Sequence, residues 1–219
     1  TSRFTLQGNK IEEGSEKKLI EFHEPVGISS HHAGSIEFGP SGCLFISTGD
    51  DTSPGGDSKG YAPIDNRPGQ LRLSAEKSSS NPFSYNGKVL RIRPMDDGGY
   101  EVPAGNLFPK DGTKGLPEVY VMGCRNPWRI NLNQKTGTLY FGDVGPDAYL
   151  EGERGPAGHD EINQVKQAGN FGWPYFVGNN FAYPMRDFNT SELHPAQNPD
   201  APVNHSLYVE GNLTLPPAK

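Results

Sequence analysis

Three small groups of residues in this chain carry side chains whose types and spacing could do chemistry. The first is the pair Arg125-Asn126, inside Gly123-Cys-Arg-Asn-Pro127. A guanidinium is a fixed fork of donors suited to an oxyanion, and an adjacent amide can donate beside it. The second is His31, in His31-His-Ala-Gly34. An imidazole titrates near neutrality and can take a proton as a general base. The third is Gly155-Pro-Ala-Gly-His-Asp-Glu161, where backbone carbonyls at a Gly-Pro step and the carboxylates of Asp160 and Glu161 could hold a metal. Each group has a plain alternative: Arg125 in a structural ion pair, His31 on a solvated loop, and Gly155-Pro156 as an ordinary turn. If Asp160 and Glu161 sit on a strand they point to opposite faces, so one could brace a loop or bind metal while the other meets solvent. If the segment at His31 is extended, His32 points away from His31 by the same alternation.

These residues sit in glycine- and proline-rich turns, and the runs between the turns must position them. The 219 residues include 28 glycines and 20 prolines, with 33% hydrophobic content. That balance disfavours helices and suits many short strands joined by turns. Aromatic residues make up 10% and fall inside regular patterns, which argues against disorder. A net charge of -6 argues against nucleic acid as a partner, and no apolar run is long enough to span a membrane. Nor does Thr1 open a charged-then-apolar leader. Cys43 and Cys124 read as two semi-buried free thiols, though a pair of thiols does not exclude a disulfide.

Alternation of apolar and polar residues predicts strands at Lys18–Phe22, Lys88–Arg93 and Glu118–Met122. It also predicts two hairpins, Ser35–Phe38 with Cys43–Ser47 and Trp128–Leu132 with Thr138–Phe141. No segment has a convincing helical period; the best, Glu161–Ala168, is short and ends in glycine. The hairpins resemble one another, each closing on Gly-Asp: Gly49-Asp50 and Gly142-Asp143. A recurring strand–turn–strand unit is the mark of radial β-repeats, and two such copies also arise by chance in antiparallel sheets. Residues 51–86 form a long polar loop whose Tyr61, Ile64 and prolines favour order, and loops of that length are usually functional when ordered. Asp50, Asp51 and Asp57 do not follow an EF-hand spacing and read as solvated or capping residues. Trp128, Trp173, Tyr120 and Tyr140 read as core aromatics ahead of sugar-stacking ones. Residues 189–219 read as irregular connection, with sequons at Asn189, Asn204 and Asn212.

Four motifs together resemble the glucose/sorbosone dehydrogenase family of soluble quinoprotein sugar dehydrogenases. They are His31-His-Ala-Gly34 with the hairpin to Asp50, Gly87-Lys-Val-Leu-Arg-Ile92, Gly123-Cys-Arg-Asn-Pro127, and Gly155–Asn163 with Gly169-Asn-Phe-Gly-Trp-Pro174. The resemblance implies an all-β fold, a β-propeller of four-stranded antiparallel blades. The family's propeller has six blades, of which this chain, residues 1–219, covers roughly the middle ones. It implies the cofactor pyrroloquinoline quinone (PQQ) and calcium, and oxidation of an aldose's anomeric hydroxyl to a lactone. His31 would be the base, with Ser30 standing where some members carry an acid. Arg125 and Asn126 would contact PQQ, Arg125 also stabilising charge as it develops. Gly155-Pro156 would offer carbonyls to calcium, with Asp160 and Glu161 as further candidate ligands. The resemblance further implies a periplasmic or secreted protein passing electrons to an acceptor such as a cytochrome c. The competing expectation is an extracellular propeller that binds a partner without cofactor or catalysis.

Overall fold

The computed structural model describes residues 1–24 and 30–219. Four two-residue strands open the chain, β1 (Ser2–Arg3), β2 (Leu6–Gln7), β3 (Lys10–Ile11) and β4 (Lys17–Lys18). They pair as two small ribbons, β1 with β4 and β2 with β3. The predicted strand at Lys18–Phe22 is therefore mostly absent: the ladder stops at Lys18, and Leu19 and Ile20 turn into the core instead.

The main sheet is an antiparallel meander of β5 (Ala33–Phe38), β6 (Leu44–Thr48), β7 (Lys88–Pro94) and β9 (Val119–Met122), with β8 (Tyr100–Glu101) folded back on β7. Side chains alternate across it. Leu44, Ile46, Leu90, Ile92, Val119 and Met122 pack on one face with Leu19, Phe108, Tyr175, Phe176 and Leu215. Cys43, Phe45, Val89 and Val121 pack on the other. Both faces are covered, so β6 reads as an unbroken buried run rather than a half-polar alternation. The second sheet consists of β10 (Pro127–Leu132), β11 (Leu139–Asp143) and β12 (Glu161–Val165). Its inner residues Ile130, Leu132, Leu139, Phe141 and Val165 close on the main sheet's second face. Strands β5 and β10 lie side by side without a shared ladder, tied where the Ile130 amide donates to Ser35 Oγ at 3.3 Å. Two sheets meeting face to face with adjacent first strands are neighbouring blades of a propeller-type fold.

Both hairpins form where alternation predicts them, and Cys43 and Cys124 are buried free thiols. The second sheet, however, has three strands rather than four. After β12 the chain runs back as β13 (Gly169–Asn170), which joins the outer edge of β9 in parallel. That edge satisfies its backbone groups, with the Phe171 amide donating to the Met122 carbonyl at 2.9 Å. One consequence is an open outer face on the second sheet. Trp128 is 49% and Ile162 90% exposed, so Trp128 is not the core residue its type suggests. Trp173 and Tyr120 are core, as expected, while Tyr140 is half-buried and accepts from Gln164.

The loop 51–86 is ordered through three short 3-10 turns at Gly56–Ser58, Leu71–Leu73 and Ala75–Lys77. Its anchor is the fully buried Lys88, whose ammonium donates to the carbonyls of Ser78, Ser79 and Asn86 at 2.7, 3.0 and 2.8 Å. Beyond β13 come β14 (Phe176–Val177) with β15 (Phe181–Ala182), and β16 (Val203–Asn204) with β17 (Leu213–Thr214). The tail is irregular but docked. Asn204 is fully buried and its amide donates to the carbonyls of Glu76 and Ser80, so that sequon is closed to a glycan.

Candidate active site

Strand β6 ends at Gly49-Asp50, and this turn assembles the first half of the site. Asp50 has no solvent exposure. Its Oδ1 lies 2.8 Å from His31 Nδ1 and accepts from the amide and hydroxyl of Thr52 at 2.9 and 2.8 Å. Its Oδ2 accepts from the Trp173 indole at 2.8 Å. Burial pushes the Asp50 carboxyl up. The charge and hydrogen bond of His31, the Arg125 charge and the Trp173 donor outweigh that and hold it below the ordinary carboxylate range. An ionised Asp50 accepts a proton on His31 Nδ1, which leaves Nε2 as the basic nitrogen.

Asp50 and Asp51 are 0% and 4% exposed, which overturns the reading of them as solvated, while the local bond from the Thr52 amide to Asp50 is the capping role. Asp57, by contrast, is exposed and pairs with Arg67. The histidine backbone is under strain. His31, Ala33 and Asp51 have φ of 60°, 47° and 54°, a region L-residues seldom occupy. It also passes so close to Gly49 that a Cβ there would lie 1.6 Å from the His31 carbonyl oxygen. Gly49 is therefore what lets the histidine sit over the strand end. The backbone at His31 is left-handed rather than extended, so strand alternation does not apply to this pair; His32 Nδ1 lies 3.1 Å from half-buried Glu24.

The second half repeats the first at Gly142-Asp143, the end of β11. Asp143 is buried and accepts from the backbone amides of Arg125 and Asn126 at 3.0 and 2.5 Å. Burial, only partly offset by those donors and reinforced by Glu161, pushes its carboxyl up to about 7. With its backbone fixed, Asn126 turns Oδ1 to the Ala33 amide at 2.9 Å, which ties the arginine–asparagine pair to the histidine segment. The Arg125 guanidinium is buried beside Trp173, 5.9 Å from the ring. It donates to the Val144 carbonyl at 3.0 Å and to exposed Asp147 at 3.2 Å. The structure thus brings His31, Arg125 and Asn126 together, with Asp50 and Trp173 between them.

Gly155 approaches from the other side, φ +125°, close against the Tyr183 ring. Tyr183 in turn stands edge-on to Trp173 at 5.9 Å and 88°. Gly155 and Gly152 exchange backbone hydrogen bonds of 2.9 and 3.0 Å, and the Gly155-Pro156 step borders an open cleft with Glu151 and Glu153. Among the described residues, no three His, Cys, Asp or Glu side chains gather to hold a metal. Asp160 and Glu161 instead brace loops. Asp160 accepts the Gly145 amide at 2.9 Å and Glu161 the Gly178 amide at 2.5 Å.

The donor set suits a planar anionic acceptor. Arg125 and Asn126 sit side by side, and the Asn126 amide donors have no protein partner among the described residues. Carbonyl and glutamate oxygens around Gly155-Pro156 suit calcium. Space is tighter: the cavity bounded by Arg125, Asp143, His159 and Trp173 is only about 10 Å³, far below the few hundred Å³ of a small-molecule site.

Comparison with known proteins shows the family to which the chain belongs. The family model described as Glucose / Sorbosone dehydrogenase matches residues 1–209. The HIPL1 protein of Arabidopsis thaliana is 31% identical over 197 residues, covering 82% of this chain and 24% of that protein. Quinoprotein glucose dehydrogenase B of Acinetobacter calcoaceticus is 28% identical over 173 residues, covering 78% of this chain and 31% of that protein. Among solved structures, the soluble aldose sugar dehydrogenase of Escherichia coli in its apo-form is 25% identical, with a TM-score of 0.43, covering 68% of this chain and 32% of that one. The chain spans about a quarter to a third of the length of these relatives.

Proposed function

The chain belongs to the glucose/sorbosone dehydrogenase family, and from that premise we propose that it carries the base and one cofactor wall of a PQQ- and calcium-dependent aldose dehydrogenase. The observation that carries this reading is the His31–Asp50 contact of 2.8 Å, made on a carboxylate that is ionised and shielded from water. In this reading His31 Nε2 takes the proton of the sugar's anomeric hydroxyl. The C1–H electron pair leaves as hydride, and the C1–O bond becomes the carbonyl of a lactone. PQQ, if bound with calcium, would supply the two-electron acceptor. Asp50 keeps the imidazole turned and stabilises the imidazolium that forms. Arg125 and Asn126 would hold the acceptor, and Arg125 would offset negative charge developing on it. Gly155-Pro156 would offer calcium their carbonyls, while Asp160 and Glu161, also expected as ligands, hold the surrounding loops through the Gly145 and Gly178 amides. The proposal extends to a periplasmic or secreted setting and to an electron acceptor such as a cytochrome c. No helix among the described residues is long and apolar enough to cross a membrane.

A second reading, a cofactor-free binding module, draws support from the cavity of about 10 Å³ at Arg125. Absorbance titration with PQQ and calcium separates the two. Saturable binding that Arg125→Ala weakens supports the dehydrogenase, and the absence of binding supports the module.

A further inference from the structure

The outer end of the loop 51–86 meets a tight turn at residues 186–193 over a cavity of about 310 Å³. The turn is firmly built. Arg186 and Leu193 form a β-bridge, and the Asp187 and Ser191 amides donate within it at 3.0 and 2.8 Å. It presents Phe188 to three arginines, with Arg67, Arg154 and Arg186 at 5.5, 5.9 and 5.6 Å from the ring centroid.

The three guanidiniums are not equivalent. Arg67 is saturated by Asp57 and Asp65, each at 2.6 Å, and by the Phe188 carbonyl at 3.2 Å. Arg154 donates to the Asp57 carbonyl at 2.7 Å and Arg186 to Ser191 Oγ at 3.0 Å. Neither forms an ion pair among the described residues, and Arg186 Nε is buried with no partner. A buried guanidinium N–H left unmade is costly, so it points to an acceptor. Burial, and after it the Arg186 charge, push Arg154 below the ordinary arginine range. The acid beside them, Asp187, commits Oδ1 to the amides of Asn189 and Thr190 at 2.7 and 3.1 Å.

These groups select among anions. Asp187 at the rim disfavours a dianion such as phosphate and tolerates a single charge. Ile64, Met185 and Phe188 make an apolar wall, and His194 and Asn189 stand at the polar edge. A volume near the small end of ligand sites matches one sugar ring. We propose that this cavity binds a monosaccharide bearing a carboxylate, with the carboxylate on Arg186 and the ring's C–H face against Phe188 and Met185. The site is separate from the His31 chemistry and does not depend on it.

Isothermal titration of the complete protein with glucuronate, glucose and inorganic phosphate tests this. Glucuronate is expected to bind at least about tenfold more tightly than either of the others, and Arg186→Gln to weaken it by about tenfold or more with unchanged thermal unfolding. Glucuronate affinity that Arg186→Gln leaves unchanged, equal affinity for phosphate, or no glucuronate binding would overturn it. Should Arg186→Gln fail to fold, Arg154→Gln serves: a several-fold loss of glucuronate affinity supports the site, and wild-type affinity sinks it.

Discussion

His31 Nδ1 lies 2.8 Å from Oδ1 of Asp50, a carboxylate with no solvent exposure. An amide in place of that carboxylate has one acceptor oxygen instead of two, so it cannot accept from both His31 and Trp173, and it offers no charge to an imidazolium. Asp50→Asn is therefore expected to lower turnover by about 10²–10⁴-fold in the complete enzyme while leaving PQQ affinity within a few-fold. Steady-state kinetics beside a cofactor titration measure both; turnover near wild type would show that Asp50 does not orient the base.

Trp173 holds the other oxygen of Asp50 through its indole N–H at 2.8 Å. Trp173→Phe keeps a ring but removes the donor. A hydrogen bond to a charged group contributes about 1.5–3 kcal/mol, so urea unfolding is expected to show a loss in that range. The same change removes one of the donors that lower the Asp50 carboxyl, so that carboxyl rises. Stability equal to wild type would mean the indole only fills space.

Gly49 carries the His31 backbone across the end of β6. A methyl at Gly49 would sit 1.6 Å from the His31 carbonyl oxygen, which only backbone movement relieves. Gly49→Ala is expected to cost about 1–3 kcal/mol in denaturant unfolding and to displace the histidine. Histidine NMR shifts identical to wild type would contradict this.

Asp143 predicts a pH dependence. Its carboxyl holds a proton up to about 7 in the folded state, against an ordinary 3.8. The folded state thus binds more protons than the unfolded one between those values. The contribution of Asp143 to stability is greatest below about pH 4, falls as pH rises to 7, and levels off above, with roughly 4 kcal/mol as the upper size of the effect. Urea midpoints across that range check the slope, and Asp143→Asn should flatten it.

Much of this was legible from alternation and punctuation. The two hairpins, their Gly-Asp ends and the ordered loop follow from period-two patterning and turn chemistry. Asp50 was misread because nothing local distinguishes a buried acid from a solvated one. Its burial depends on Trp173, 123 residues away. The repeated Gly-Asp was the available signal, since both copies end buried and accept hydrogen bonds from backbone amides or the imidazole. Strand β13 was out of reach for a related reason. Gly169-Asn170 has no strand pattern, and only the free edge of β9 gives it a partner. The segment Glu161–Ala168 became a strand, its first five residues pairing with β11.

The site's occupancy by its own chain also escaped the sequence. Asp147 is an exposed acid on a buried arginine, 3.2 Å from the Arg125 guanidinium. A ligand that needs Arg125 competes with it. Asp147→Asn is expected to tighten PQQ several-fold, read by the change in its absorbance titration, because a charged hydrogen bond no longer opposes entry. Weaker binding in that variant would place Asp147 among the ligand's supports.

The central claim is that His31 is the base of an aldose oxidation, and dye-linked oxidation of aldoses by the complete protein with added PQQ and calcium measures it most directly. Wild type is expected to reduce the dye with at least one aldose and to yield the lactone. His31→Gln should retain PQQ binding and lose turnover. Full turnover by His31→Gln, or no dye reduction by the folded, PQQ-binding wild type with any aldose, would contradict the account.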